Sequence, residues 1–121
     1  MVEPDIDKGR RLIAALDGHS LRPSAALWLS EDSVWRLMLQ IPALEGASIS
    51  LGYRRIQEIT RSRPGSFPEL TEITLVDSKS ELLSVLRRSF SASFIESQAR
   101  LHLTRTTILG VFVEEAIIYR L

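Results

Sequence analysis

The chain contains no cysteine, so its fold must be held by an apolar core, with no disulfide and no thiolate metal site. Its 121 residues suit a single domain over positions 1–121. A chain of that length buries roughly two-thirds of its unfolded surface, enough for one core without staples. Apolar residues make up 45% and charged residues 25%, the balance of a globular domain rather than a disordered segment. Fifteen basic and 15 acidic side chains cancel to a formal charge of zero. No overall field therefore draws the protein to nucleic acid or to an anionic membrane. The basic residues other than Lys8 and Lys79 are arginine, the side chain best suited to bidentate anion contacts. The first seven residues lack the basic and apolar regions of a signal peptide. Apolar runs such as 108–113 fall far short of a membrane span. With no cysteine, the expectation is a soluble protein of the reducing cytoplasm.

Hydrophobic spacing predicts the elements. Pro4 suits a first helical position; Ile6, Gly9, Leu12, Ile13 and Leu16 recur at helical intervals until Asp17-Gly18 stops the run. Two apolar segments, 25–30 and 33–39, flank Glu31-Asp32 and predict a hairpin. Pairing about that turn sets Leu29 opposite Val34, Trp28 opposite Trp35 and Leu27 opposite Arg36. Alternation then places Ala26, Trp28, Trp35, Leu37 and Leu39 on one face. From about Gly46 a second helix is expected, with Ile49, Tyr53, Ile56 and Ile59 as its apolar stripe and Pro64-Gly65 as its end.

Residues 72–76 read as a short strand. Ser78 and Glu81 then match a capping box ahead of Leu82, Leu83, Val85 and Leu86, the stripe of a third helix. The serine-rich stretch 90–98 is expected to be loop or irregular helix, and 100–104 and 108–121 are closing strands. Alternation in the last strand breaks at Glu114-Glu115, as a bulge or a division into two strands would make it. The fold class is α+β, in the order α-β-β-α-β-α-β-β, with one mostly antiparallel sheet covered by helices.

Few residues carry a signature of chemistry. His102 alternates with Leu101 and Leu103, and a terminal hairpin would bring Glu114 or Glu115 toward it. Such a pair is the minimum for acid–base work or an open metal site in a hydrolase. His19 follows a helix stop, where the helix dipole favours a cationic ring. The arginines fall into groups at 10–11, 54–55, 61–63 and 87–88. If the second and third helices share one side of the sheet, Arg54, Arg55, Arg61, Arg87 and Arg88 form an anion or nucleic-acid patch, with Tyr53 and Phe67 nearby for stacking. The chain closes on Ile117, Ile118, Tyr119 and Leu121, apolar material that belongs inside a sheet or at an interface.

The segment GVFVEEAIIYR at 110–120, with Trp35-Arg36-Leu37 and Tyr53-Arg54-Arg55-Ile56, resembles short uncharacterised bacterial single-domain proteins. That resemblance implies a bacterial single-domain protein and brings no activity, cofactor or site residue with it. The leading expectation is a non-enzymatic interaction module, a homodimer or an accessory to a larger protein, without cofactor. Its contacts would be Tyr119 and Leu121, joined by Trp28 or Trp35 if helices leave that face open. Anion or nucleic-acid binding through the arginines is the alternative, and a metal-dependent hydrolase at His102 the remote one. No membrane partner is expected.

Overall fold

The computed structural model describes residues 4–91, 94, 95 and 101–121. Among the described residues three α-helices and five strands follow the expected order: α1 Ile6–Gly18, β1 Ala25–Glu31, β2 Val34–Gln40, α2 Ile49–Thr60, β3 Ile73–Val76, α3 Glu81–Ser89, β4 Leu101–Ile108 and β5 Val111–Arg120. The strands form one sheet in the order β3-β2-β1-β5-β4. The sheet is mixed rather than mostly antiparallel, because β3 runs parallel to β2. Parallel neighbours need a long crossover, and α2 supplies it. Among the described residues no helix is long and apolar enough to cross a membrane.

Central position explains β1. Every residue from Ala25 to Ser30 is buried, as a strand covered on both faces requires. Its even-numbered side chains, Ala26 and Trp28, join Leu37 and Leu39 of β2 under Leu12, Ile13 and Leu16 of α1 and Ile56 and Ile59 of α2. Its odd-numbered side chains, Leu27 and Leu29, join Ala116 and Ile118 of β5 under Leu83 and Leu86 of α3. α1 and α2 therefore cover one face and α3 the other.

Several local expectations need correction. Pro4 is not the first helical residue: α1 begins at Ile6 behind the Asp5 cap, whose carboxylate accepts from the Lys8 N–H. Helix α2 starts at Ile49 behind the Ser48 cap, three residues after Gly46. The first hairpin turns at Asp32-Ser33, so Trp28 lies opposite Leu37 and Trp35 opposite Ser30. The register differs by two residues from that expected, so each side chain keeps its face while the direct Trp28–Trp35 pairing is lost. Asp32 and Ser33 have φ of 52° and 65°, both left-handed, as a type I′ turn demands. Glu114 holds that turn: its carboxylate accepts from Asp32 N at 2.8 Å and Ser33 N at 3.3 Å.

Helix α3 is capped by Ser80, whose hydroxyl accepts from Leu83 N, and the Ser78–Glu81 box does not form. Ser78 N instead donates to Glu45 Oε1 and Lys79 N to Asp77 Oδ1. In the serine-rich stretch Phe94 and Ile95 are helical, while 92–93 and 96–98 lie outside the described residues, as does Arg100. The last hairpin turns at Leu109-Gly110, with φ of 47° and 84°. β5 passes Glu114-Glu115 as one strand and keeps the same register with β4 on either side, but Glu114 and Arg105 are skipped in the pairing. The alternation break is nevertheless real, since the α3-side core takes Val113 and then Ala116 from β5, and Leu103 and then Ile108 from β4. Arg105, opposite this break, has φ of 43°.

Candidate functional site

A β-bulge near the end of β5 decides where the apolar terminus goes. Leu27 pairs with Ile118 and Ala26 with Arg120, which leaves Tyr119 as the extra residue. Through the bulge both Tyr119 and Arg120 reach α1. The Tyr119 hydroxyl donates to Ile6 O at 2.7 Å and accepts from Trp28 Nε1 at 3.0 Å. Arg120 forks onto Asp17, with both nitrogen–oxygen distances 3.0 Å, and also donates to Pro23 O. Arg120 donation, with the charges of Arg120 and Arg22, holds the Asp17 carboxyl below its ordinary value against a smaller opposing effect of burial.

These contacts bear on the expected interface residues. Helices α1 and α2 cover the tryptophan face, so the condition for exposing it fails. Trp28 is fully buried and offers a partner nothing. Trp35 is half-buried beside the same core, and its Nε1 is buried without a hydrogen-bond partner among the described residues. Tyr119 spends its hydroxyl inside the chain. Leu121 is half-buried against the α3-side core.

The five-arginine patch does not assemble. Arg54, Arg55 and Arg61 belong to the α2 side, whereas Arg87 and Arg88 ride on α3 across the sheet. Arg87 is engaged in a polar cluster, donating to Gln40 Oε1 at 2.6 Å. Ser24 Oγ donates to the same oxygen and Gln40 Nε2 to Glu45 Oε1, so the buried Gln40 amide is satisfied at both ends. Tyr53 is used structurally as well: its hydroxyl bridges Ile73 O and Leu75 N on the β3 edge.

His102 does meet a carboxylate. Its Nε2 lies 2.9 Å from Glu115 Oε1, on a half-exposed stretch of sheet, while Glu114 is turned away to the β1–β2 hairpin. Among the described residues no group of three His, Asp or Glu side chains is placed to hold a metal. The pair has the composition of an acid–base dyad and the geometry of a surface ion pair. His19 sits at the C-terminal end of α1, its Nδ1 lying 2.7 Å from Ala15 O.

Six large apolar residues are exposed among the described residues. Ile49, expected in the apolar stripe of α2, is 73% exposed at the first turn of that helix beside Leu51, so the stripe starts at Tyr53. Phe94 is another, and the remaining three sit at the hairpins. Val34 is 54% exposed, Leu109 61% and Phe112 64%. Val34 follows the first hairpin turn, Leu109 lies in the second and Phe112 comes two residues after it. Glu114 fastens the first turn to β5, so both tips lie at one end of the sheet. Gly110 was the available signal, since a hairpin centred there lifts Leu109 into the turn.

No family model matches the chain, and neither a curated protein nor a solved structure shows significant similarity to it.

Proposed function

We propose that this chain is a small non-enzymatic interaction module of the cytoplasm, self-associating through the end of its sheet where the two hairpin tips sit together. The exposure of Val34, Leu109 and Phe112 at that end carries the proposal. Val34 lies on the α3 side of the sheet and Phe112 on the other, so the contact would wrap the sheet end rather than use one face. Apolar side chains facing water mark contact surfaces, and burying them yields roughly 25 cal/mol per Å² of apolar area. The contact surface moves from Tyr119, whose polar group is consumed internally, to residues whose apolar surface is free. The experiment is the absolute solution mass by light scattering after size exclusion, at low and high salt. A dimer that survives high salt is the expected result. A monomer at every concentration overturns self-association.

A further inference from the structure

Packing α1 beside α2 brings the arginine groups at 10–11, 54–55 and 61–63 onto one layer of the protein. Between α1 and the loop that follows α2 lies a cleft lined by Arg11, Ala14, Ala15 and His19 on one side and by Arg63 and Phe67 with two serines on the other. The α1 contribution follows from helical spacing: Arg11, Ala15 and His19 recur every four residues and share a stripe. Two of the lining side chains are fixed in place. Arg11 Nε donates to Ser66 O at 2.8 Å, which leaves its two terminal nitrogens for other acceptors. The His19 ring is held by its contact with Ala15 O.

Neither Arg11 nor Arg63 pairs with a carboxylate among the described residues. Glu58 lies in the adjoining depression, where it shares the lining with Arg55 and His19. The cleft lining thus combines two guanidinium groups without an ion pair and one aromatic ring. Guanidinium groups bind phosphate and carboxylate through paired donors, and a phenyl ring favours a flat partner laid against it. We propose that this cleft binds a small organic anion, a phosphate monoester or a carboxylate, whose flat aromatic body rests on Phe67. The site is independent of the hairpin-tip contact, since its lining comes from α1 and the loop after α2.

Amide-resolved NMR titration of the whole chain tests it with four probes: inorganic phosphate, a nucleoside monophosphate, benzoate and an uncharged nucleoside. At least one aromatic anion should move the Ala14, Ala15 and Phe67 amides saturably and bind more tightly than inorganic phosphate. The uncharged nucleoside should not bind. Whether the monophosphate or benzoate binds more tightly identifies the head group. Arg63→Gln should weaken the better probe about tenfold, the loss of one charge-assisted contact. Arg87→Gln, on the opposite face, should leave it unchanged. Arg63 is the deciding position because Arg11 also ties down Ser66. The proposal falls if neither aromatic anion saturates, if Arg63→Gln binds as tightly as the parent, or if inorganic phosphate matches the aromatic anions.

Discussion

Gly9 lies so close to Tyr119 that a β-carbon on the glycine would stand 2.5 Å from the tyrosine hydroxyl and 2.9 Å from Trp28 Nε1. The absent side chain lets α1 descend onto the sheet, and the hydroxyl then fastens β1 and α1 together. Gly9→Ala is expected to destabilise the chain by about 1–3 kcal/mol through overpacking, despite alanine's better helix propensity. Tyr119→Phe should cost about 1–3 kcal/mol by leaving the Trp28 donor buried and unpaired. Chemical denaturation followed by far-UV circular dichroism measures both. A Gly9→Ala variant as stable as the parent would show that the close approach relaxes without cost.

The Asp17–Arg120 fork makes stability depend on acid. Asp17 has its folded pKa lowered, chiefly by donation from Arg120, below the ordinary 3.8. Its contribution is therefore complete above the unfolded value and is lost as pH falls through the folded one. Side-chain exposures of 25% for Arg120 and 29% for Asp17 leave solvent to screen the pair, so about 1 kcal/mol is expected. Arg120→Gln should lose that amount at neutral pH. The gap between variant and parent should close as pH drops below 3.8. Denaturation midpoints across that range decide it, and a gap independent of pH would assign the loss to packing of the arginine stem.

The first turn carries strain that a better sequence would relieve. Asp32 and Ser33 both sit at positive φ, where a residue other than glycine costs about 1–2 kcal/mol. Replacing the pair with Asn-Gly should stabilise the chain by about 0.5–1 kcal/mol, part of the gain being offset by the freedom glycine adds to the unfolded state. Glu114→Gln should act in the opposite direction, because the amide replaces one accepting oxygen with a donor facing backbone N–H groups. Thermal melts of the two variants and their combination would show whether the turn still needs the carboxylate once its own residues favour the conformation.

That turn also shows where sequence reasoning stops. The order of helices and strands was legible because the apolar periods are clear and β1 reads as one buried run from Ala25 to Ser30. The turn position was not, since Asp32-Ser33 lacks the Asn-Gly signature and its stabilising partner Glu114 is 82 residues from Asp32. The helix cap misled for a related reason: Ser78 and Ser80 are both competent, and Glu45 claims the backbone of Ser78 from a distant loop. For the arginines, spacing placed three of the groups on their helices, while Arg61 and Arg63 fall past the end of α2 at Thr60 rather than before a stop at Pro64-Gly65; it could not assign a helix to a side of the sheet. Strand order makes that assignment, separating Arg87 and Arg88 from Arg54 and Arg55 while bringing Arg11 to Arg63.

Phe112 provides the sharpest test of the proposed self-association. It lies opposite Thr107 in the β4–β5 pairing and keeps 64% of its surface exposed, so replacing it removes little from the monomer core. Phe112→Asp should change monomer stability by no more than about 0.5 kcal/mol, while a buried charge at the contact should dissociate the assembly. Light scattering would then report half the mass of the parent, with an unchanged far-UV spectrum. Leu109→Asp should have the same effect from the neighbouring turn. Tyr119→Phe should leave the mass unchanged, because its hydroxyl is used within one chain. If Tyr119→Phe separates the subunits while Phe112→Asp does not, the contact lies along the end of β5 and the hairpin tips are ordinary surface.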